Sequence, residues 1–260
     1  MDLADPLFSL AGKTALVTGG GSGIGTMIAQ GLIRRGVRTY ITGRDAERVA
    51  ASARELAADG GECIGLVGEL GSMDGPALLA EQLAKREGKL HILVNNAGAN
   101  ANGSLAEMTV ADWDVVMNVN VRAAYFLTQG LLPLLSAAAS DEDPARIINV
   151  GSIGGLHIPN WEAHAYNTSK AAIHHLTRSL CKALGKERIT VNAIAPGPFP
   201  SRMTDISSEA LRKSVATYIP LGRPGTAQDA EGLVVFLASR AGAYVNGATI
   251  PLDGGYIAAL

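Results

Sequence analysis

Short apolar runs alternate with longer segments of helical periodicity along the whole chain, and this alternation constrains the fold more than any other feature. The apolar runs predict buried strands at 14–18, 38–42, 62–67, 91–94, 146–150, 190–195 and 249–252. The segments between them predict helices at 24–35, 45–59, 73–87, 109–135, from 166 onward and at 226–239. Strands connected through helices lie parallel, with the helices on both faces of the sheet. We therefore predict an α/β fold with a doubly wound, mainly parallel, seven-stranded sheet.

The composition fits one globular domain spanning residues 1–260. Hydrophobic residues make up 47% of the 260 positions and charged residues 18%, which supports a large core. The net charge of −2, without a basic cluster, argues against nucleic acid or an acidic membrane as a partner. No signal-like or membrane-spanning apolar run follows the acidic amino terminus, so we expect a cytoplasmic protein. The acidic, proline-containing segment 137–144 predicts a surface loop.

A glycine-rich turn joins the first predicted strand to the first predicted helix. Residues 18–25 read T-G-G-G-S-G-I-G, without the usual G-x-G-x-x-G spacing. Backbone without side chains lets a phosphate approach closely, and the first turn of a helix offers N–H groups and positive partial charge. The position therefore favours dinucleotide binding over a merely flexible turn. The residues that we expect to contact the cofactor here are Gly19, Gly21, Ser22, Gly23, Ile24 and Gly25.

Tyr166 and Lys170 stand four residues apart at the start of a predicted helix. Side chains at this spacing project from one helix face, with Cβ atoms about 5–6 Å apart. A neighbouring ammonium group favours the phenolate and lowers the pKa of a tyrosine from its ordinary value of about 10. Such a tyrosine can donate and accept a proton near neutral pH. The pair therefore predicts an acid–base site, provided that a cofactor and an oxygen-binding group lie beside it.

Several motifs, in this order along the chain, resemble those of the short-chain dehydrogenase/reductase family. The glycine turn matches T-G-x-x-x-G-I-G, residues 95–98 match N-N-A-G, residues 196–197 match the P-G turn and residues 253–255 match D-G-G. The positions of the family's catalytic tetrad are occupied by Asn120, Ser152, Tyr166 and Lys170. The resemblance covers nearly the whole chain and implies a Rossmann-type fold with hydride transfer between a nicotinamide cofactor and a ketone or secondary alcohol.

The resemblance implies a role for each member of this tetrad. In ketone reduction, Tyr166 would protonate the substrate oxygen as it becomes negative, and Ser152 would donate a hydrogen bond to the same atom. Lys170 would bind the nicotinamide ribose and lower the pKa of Tyr166. Asn120 would position a water for proton relay.

Two spacings distinguish this chain within the resemblance. Ser152 and Tyr166 are 14 residues apart, one more than in most members of the family. An inserted residue between them would enlarge the wall of the substrate pocket. Asn118 is an alternative to Asn120 as the tetrad asparagine, but the distance from Asn120 to Gln129 matches the family's spacing. We therefore assign the role to Asn120.

Residues 40–44, Y-I-T-G-R, end the second predicted strand, where the choice between NAD and NADP is made. A carboxylate there binds the ribose 2′-hydroxyl of NAD, whereas a guanidinium pairs with the 2′-phosphate of NADP. Gly43 holds the usual aspartate position and Arg44 follows it, so we predict NADP(H). Ser22 stands where many NADP-using members have a basic residue. Glu69 and Leu70 occupy the family's Asp-aliphatic position beside the adenine, with a longer acid than usual.

The resemblance extends the cofactor site to strand ends farther along the chain. Residues 96–98 follow the fourth predicted strand, and the P-G turn follows the sixth. Ser201 replaces the family's threonine after that turn and would contact the nicotinamide carboxamide or the phosphates. Together with Tyr166 and Lys170, the expected contacts are Asn96, Ala97, Gly98, Pro196, Gly197, Phe199 and Ser201.

We expect an apolar substrate pocket. The segment at about 196–220 has no predicted strand, and we predict that it forms a flap over this pocket. Its expected lining is Leu156, Ile158, Trp161, Phe199, Met203, Tyr218 and Ile219. This lining fits a 3-oxoacyl thioester or another apolar ketone, and it also fits a bulky cyclic or steroid-like alcohol. A non-catalytic nucleotide-binding regulator would use the same fold. The complete tetrad favours the enzyme.

Neither a metal site nor a disulfide is predicted. The five histidines form no metal-binding pattern on a helix, and Cys63 and Cys181 lack a Cys-x-x-Cys spacing. His174 and His175 are adjacent, and we expect them at the surface or at an interface. The predicted partners are a small apolar carbonyl or alcohol and, by resemblance, further copies of the chain in a homotetramer formed through the Tyr166 helix and the carboxyl terminus.

Overall fold

One sheet of seven strands forms the centre of the molecule. The computed structural model describes residues 5–58, 60–158, 162–200 and 208–260. Its strands are β1 (Thr14–Val17), β2 (Arg38–Gly43), β3 (Cys63–Val67), β4 (Ile92–Asn95), β5 (Ala145–Val150), β6 (Ile189–Pro196) and β7 (Thr249–Leu252). They are ordered β3-β2-β1-β4-β5-β6-β7, and all neighbouring pairs are parallel. The predicted Rossmann-type α/β fold and its strand number are thereby confirmed.

Helices cover both faces of this sheet. Within the described residues they are α1 (Gly23–Ile33), α2 (Ala46–Ala57), α3 (Gly75–Ala84), α4 (Val110–Met117), α5 (Ala123–Ala138), α6 (His164–Leu184), α7 (Glu209–Tyr218) and α8 (Ala227–Ala238). The apolar sides of α1, α2 and α8 pack on one face, and those of α3, α5 and α6 pack on the other. Burial on both faces explains why the strands are continuous apolar runs. None of these helices is both long and apolar enough to span a lipid bilayer.

The order of the strands places the predicted motifs along one edge of the sheet. From β1 the chain runs outward to β3 and then crosses back to β4 on the other side of β1. Ligands of open parallel sheets bind beyond the carboxyl ends of the strands at such a switch point. The glycine-rich turn follows β1, residues 96–98 follow β4, and Ser152 follows β5. The topology therefore gathers segments that are far apart in the sequence.

The helix predicted at 109–135 is two helices joined by a π-helical turn. α4 begins at a capping box formed by Thr109 and Asp112, and the π turn Asn118–Arg122 separates it from α5. The predicted helix is therefore confirmed over 110–135, with a π turn inside it that the periodicity did not indicate. A π turn places an additional residue in the helical repeat and is frequent at functional sites. Here it buries the side chain of Asn120, which is 3% exposed.

The loop before β5, predicted to lie on the surface, supplies a carboxylate to the amino end of the sheet. Asp143 accepts from Lys13 Nζ at 2.9 Å and from Nη2 of the buried Arg146 at 3.1 Å. The Arg146 guanidinium also donates to the carbonyls of Leu237 (3.0 Å) and Ser239 (2.9 Å), where α8 ends. The last carbonyls of a helix carry partial negative charge. Both cations at this end of the sheet are therefore compensated by negative groups.

Candidate active site

The glycine-rich turn leaves the amino end of α1 open to a ligand. Gly19 and Gly23 adopt φ values of 64° and 55°, which glycine reaches without strain. Ser22 precedes α1, but its side chain makes no capping hydrogen bond. N–H groups that are left without a cap at the start of a helix suit a phosphate. The turn therefore has the geometry expected of a pyrophosphate-binding segment.

Hydrogen bonds join this turn to the loop after β4, a second predicted cofactor segment. The Thr18 hydroxyl accepts from the backbone N–H groups of Asn96 and Ala97, each at 2.9 Å. The side-chain amide of Asn96 donates to the carbonyls of Thr18 (2.8 Å) and Gly19 (3.2 Å). A Cβ on Gly25 would lie 2.4 Å from that amide nitrogen, so the glycine is required for close packing. The amide of Asn96 thus holds the glycine turn in place.

Arg44 extends into solvent at the end of β2. Its side chain is 81% exposed, and its Nε lies 3.9 Å from Oε2 of Glu69. The other oxygen of Glu69 accepts from the N–H of Gly71 at 3.1 Å, which fixes the acid beside the guanidinium. Leu70, by contrast, is buried. A largely solvated guanidinium has donors available for a phosphate, and it pairs with one in a fixed planar geometry.

Lys170 is buried beside Tyr166 on α6. Its Nζ donates to the carbonyl of Val150 at 2.8 Å and lies 5.5 Å from the centroid of the Tyr166 ring. Burial lowers the pKa of Lys170 to about 8. A Cβ on Gly98 would lie 3.8 Å from Nζ, so the loop after β4 borders the ammonium group as well. The ammonium group of Lys170, the Tyr166 ring and the loop after β4 therefore lie next to one another, as the sequence predicted.

The pKa of Tyr166 moves in the direction opposite to the sequence prediction. Burial raises it, because a phenolate loses solvation there, and a hydrogen bond with Ser152 acts in the lowering direction. The net shift is therefore upward, and the expectation that the pKa of Tyr166 lies below its ordinary value is wrong for this structure. Ser152 lies in the loop after β5, where its Oγ accepts from the N–H of Gly154 at 3.0 Å. The Ser152 hydroxyl thus lies beside a phenol that keeps its proton at neutral pH.

Asn120, rather than Asn118, lies in the site. Asn120 Oδ1 accepts from the N–H of Ala99 at 2.7 Å, and its Nδ2 donates to the Ala99 carbonyl (3.0 Å) and to Ser169 Oγ (2.9 Å). Asn118 instead accepts from Arg122 Nε at 3.0 Å. Both amide protons of Asn120 are used within the protein, so its side chain connects the loop after β4 to α6. Only its carbonyl oxygen has acceptor capacity for the predicted water.

The P-G turn, Pro196 and Gly197, packs against the carboxyl-terminal D-G-G motif. The N–H of Gly197 donates to the Leu252 carbonyl at 3.0 Å, and a Cβ on Gly197 would lie 3.0 Å from Asp253 Cα. The Asp253 carboxylate accepts from two backbone N–H groups of the following tail, each at 2.9 Å. These contacts fix the point where the chain leaves β6.

The predicted apolar lining divides into core and exposed members. Phe199 and Ile219 are 2% and 4% exposed, and the Phe199 ring leaves no room for a side chain on Gly225. Phe199, predicted as a cofactor contact, therefore packs with its ring against Gly225. The exposed members are Leu156, Ile158 and Tyr218. Trp161, Ser201 and Met203 lie outside the described residues.

An aromatic cluster near the flap was missed by the sequence analysis. The Tyr256 ring lies 6.1 Å from the His157 ring and 6.2 Å from the Tyr218 ring, in edge-to-face arrangements. These three residues come from the loop after β5, from α7 and from the carboxyl-terminal tail. Positions this distant share no spacing that a sequence pattern could reveal. The cluster connects α7 to the loop after β5 that carries Ser152.

His174 was expected at the surface or at an interface, and that prediction is wrong for the isolated chain. Its side chain is 6% exposed, whereas His175 is exposed. The sequence held a signal for this difference, since Tyr166, Lys170 and His174 follow one another at intervals of four on one helix face. Among the described residues, no cluster of His, Cys, Asp or Glu side chains is arranged to hold a metal, and the two cysteines are free.

The strand switch point is where open parallel sheets bind dinucleotides, and here a phenol that can donate a proton and a buried ammonium group lie beside it, which suits an oxidoreductase with a dinucleotide cofactor. Residues 19–257 match a family model described as enoyl-(acyl carrier protein) reductase. The chain belongs to the short-chain dehydrogenase/reductase family, which confirms the resemblance of its motifs.

The relatives match this chain over almost its entire length. The rhamnolipids biosynthesis 3-oxoacyl-[acyl-carrier-protein] reductase of Pseudomonas aeruginosa is 48% identical over 254 residues, covering 96% of this chain and 98% of that protein. The 3-oxoacyl-[acyl-carrier-protein] reductase FabG of the same organism is 39% identical over 247 residues, covering 95% and 98%. The structure described as the Pseudomonas aeruginosa RhlG/NADP active-site complex has a TM-score of 0.93 and 46% identity, covering 97% and 99%.

Proposed function

We propose that the chain reduces a 3-oxoacyl thioester, or a similar apolar ketone, with NADPH as the hydride donor. The observation that carries the proposal is the meeting of Ser152, Tyr166 and Lys170 beside the loop after β4. Two relatives named as 3-oxoacyl-[acyl-carrier-protein] reductases, and a neighbour whose structure is described with NADP, support this substrate class and cofactor. When bound, the cofactor supplies the hydride, and the chain supplies binding, orientation and a proton.

The residues at the switch point fit NADP. The uncapped start of α1 suits the pyrophosphate, and the 81% exposed side chain of Arg44 has donors for the 2′-phosphate. Lys170 Nζ donates one proton to Val150 and has two more for the ribose hydroxyls. The Glu69 carboxylate, 3.9 Å from the same guanidinium, would compete with the phosphate for it. Arg44 and Lys170 would thus hold NADP at two separate points.

Tyr166 is the proposed proton donor. Because burial raises its pKa, the phenol is protonated at neutral pH and can give its proton to the substrate oxygen as that oxygen becomes negative. Ser152 would hold the same oxygen with a hydrogen bond. The ammonium group of Lys170, 5.5 Å from the ring centroid, stabilises the phenolate that remains. The site is therefore arranged to release a proton only when negative charge appears on the substrate.

A bulky cyclic or steroid-like alcohol is the second substrate class. Leu156, Ile158 and Tyr218 are exposed apolar or aromatic side chains in the segments that flank the site, and they can border a wide ligand as well as an acyl chain. A panel of 3-oxoacyl thioesters and cyclic ketones, assayed by NADPH consumption, separates the two. Tight NADPH binding without turnover of any member would favour the non-catalytic regulator instead.

Replacement of Tyr166 by Phe tests the proposed chemistry. We expect kcat to fall by about 1,000-fold, because general acid catalysis is lost, while NADPH affinity stays unchanged. Tyr244→Phe is the matched control, since Tyr244 lies between α8 and β7 and is fully exposed. Cofactor binding is measured by the change in NADPH fluorescence. Near-normal turnover by Tyr166→Phe with cofactor bound would contradict the assignment.

We also propose that the chain forms a homotetramer. Exposed apolar side chains on α4 and α5, beside the Tyr166 helix, support an interface there: Trp113, Val115, Tyr125 and Phe126. Sedimentation of the 26.8 kDa chain should give a species of about four times that mass. A monomer at micromolar concentration would contradict the proposal. The cytoplasmic location stays a prediction.

A further inference from the structure

His174 occupies the space behind the loop that carries Ser152. It lies one helical turn beyond Lys170 on the same face of α6, and the residue is 6% exposed. The loop itself begins where β5 ends and contains glycines at 151, 154 and 155. His174 is therefore positioned between the helix that carries the proton donor and the loop that carries the oxygen-binding hydroxyl.

The fit between the ring and the two glycines nearest Ser152 is close. A Cβ on Gly151 would lie 2.0 Å from His174 Nε2 and 2.6 Å from Cδ2. A Cβ on Gly155 would lie 2.8 Å from Cε1 of the same ring. Neither glycine has a positive φ, so their backbone conformations are open to any residue. Glycine is needed at both positions for space, and much of that space is taken by the imidazole.

The ring acts mainly through its shape, since its approach to the Gly155 backbone falls short of good hydrogen-bond geometry. Both Nδ1 and Nε2 are buried without a partner. Burial lowers the pKa of His174 to about 4; the interaction with the Gly155 backbone acts in the raising direction, and the charges of Lys170 and Arg178 act in the lowering direction. The imidazole is therefore neutral at the pH at which the enzyme would work. A neutral ring without hydrogen bonds fixes its neighbours by van der Waals contact.

We propose that His174 is a positioning residue that determines where Ser152 stands relative to Tyr166. The proposal rests on the function proposed above for the catalytic side chains. The ring fills the volume into which Gly151 and Gly155 would otherwise relax, and it thereby holds the Ser152 hydroxyl beside the phenol. Displacement of a reacting group by about 1 Å can reduce the rate by about 100-fold, so small shifts of this loop matter.

A steric rescue experiment tests the proposal. In Gly151→Ala the new methyl group collides with the imidazole, so we expect the loop to shift and kcat for acetoacetyl-coenzyme A to fall by about 10- to 100-fold, with NADPH affinity unchanged. In the double variant Gly151→Ala with His174→Ala, the obstruction is removed. We expect the double variant to recover at least about fivefold in kcat over Gly151→Ala.

Gly155→Ala is the matched control for this rescue. A Cβ at Gly155 would also lie 2.5 Å from the carbonyl carbon of Lys170 and 2.7 Å from the backbone nitrogen of Ala171. Because these backbone atoms remain after His174→Ala, the corresponding double variant should not recover. His175→Ala, at the exposed neighbouring position, should leave kcat unchanged. Equal kcat losses in Gly151→Ala with and without His174→Ala would overturn the proposal.

Hydrogen exchange provides a readout that does not depend on turnover. The N–H of Gly154 donates to Ser152 Oγ, and the N–H of Gly155 donates to the Ser152 carbonyl, each at 3.0 Å. In His174→Ala these two amides should exchange at least about tenfold faster, while the amides of α6 beyond residue 178 stay protected. Unchanged exchange would overturn the proposal even if the chain reduced no ketone. Failure of the proposed function would instead leave the exchange result intact while abolishing all turnover.

Discussion

Arg146 and Lys170 are buried cations at opposite ends of the sheet, and they differ in what surrounds them. Arg146, at the amino end, is 1% exposed and donates to the Asp143 carboxylate and to the last carbonyls of α8. Lys170, at the carboxyl end, is 5% exposed and has one carbonyl, that of Val150, and the Tyr166 ring. No carboxylate of the described residues forms an ion pair with Lys170.

The difference separates a charge that serves the fold from one that serves the reaction. Burial lowers the pKa of Lys13 and of Arg146, but Asp143 opposes that shift at both residues. At Lys170 burial acts alone. An uncompensated buried cation destabilises the folded state, and active sites commonly retain such groups for function. The charge of Lys170 therefore destabilises the folded protein. It is proposed to act in the reaction, where it would bind the ribose and stabilise the developing phenolate.

The largest expected effect is the loss of Asp143. Asp143→Ala leaves both Lys13 and Arg146 buried without their carboxylate, and we expect the free energy of unfolding to fall by about 4 kcal/mol. Asp141→Ala is the control in the same loop, because Asp141 is 81% exposed and pairs only at the surface with Arg188. Its effect should stay below about 1 kcal/mol. Urea unfolding followed by circular dichroism measures the free energy of unfolding of both variants. Similar decreases in the two variants would show that the buried carboxylate stabilises the fold no more than the surface one.

A pH effect on stability is the next in size. The pKa of Lys170 is about 8 in the folded protein and 10.5 as the ordinary value. Between these values the unfolded chain binds the additional proton, so the free energy of unfolding should rise with pH across this window, by about 2–3 kcal/mol. In Lys170→Met this contribution should be absent. The free energy of unfolding of the wild type minus that of Lys170→Met, measured from pH 7 to pH 10, isolates the contribution of Lys170 from the titration of other groups. A difference that falls as pH rises would show that Lys170 is stabilised as the cation.

The smallest of the three effects concerns the exposed cation at the carboxyl end. Arg44→Ala should weaken NADPH binding by about tenfold, because the 2′-phosphate loses its guanidinium, and leave NADH binding unchanged. Stability should change by less than about 0.5 kcal/mol, since Arg44 is largely solvated. Arg48→Ala, at an exposed position of α2, should change neither NADPH binding nor stability. Equal weakening of NADPH and NADH by Arg44→Ala would contradict the role proposed for this residue.

Features encoded by local pattern were predictable from the sequence. The strands are continuous apolar runs because both faces are buried, and the glycine turn is visible because Gly25 must pack against Asn96. The family motifs then identified Ser152, Tyr166 and Lys170, whose roles stay predictions. The direction of the Tyr166 pKa was predicted wrongly, since the neighbouring charge is evident in the sequence and the depth of burial is not.

Features that depend on distant contacts could not be predicted in this way. Asp143 lies in an acidic loop that looks solvated, and its partners Lys13 and Arg146 reach it only through the folded sheet. The π turn at Asn118–Arg122 has no periodicity of its own within an apolar helical stretch. The approach of Tyr256 to the flap is likewise long-range. Propensity and spacing describe neighbours along the chain, so they do not predict tertiary contacts of this kind.

The most direct test of the central claim is the sign of two stability changes measured at pH 7. Lys170→Met should raise the free energy of unfolding by about 2 kcal/mol, because removal of a desolvated charge outweighs the loss of one hydrogen bond. Arg146→Met should lower it by about 3 kcal/mol, because Asp143 and the α8 carbonyls lose their partner. Loss of stability in both variants would contradict the account, since Lys170 would then serve the fold as Arg146 does.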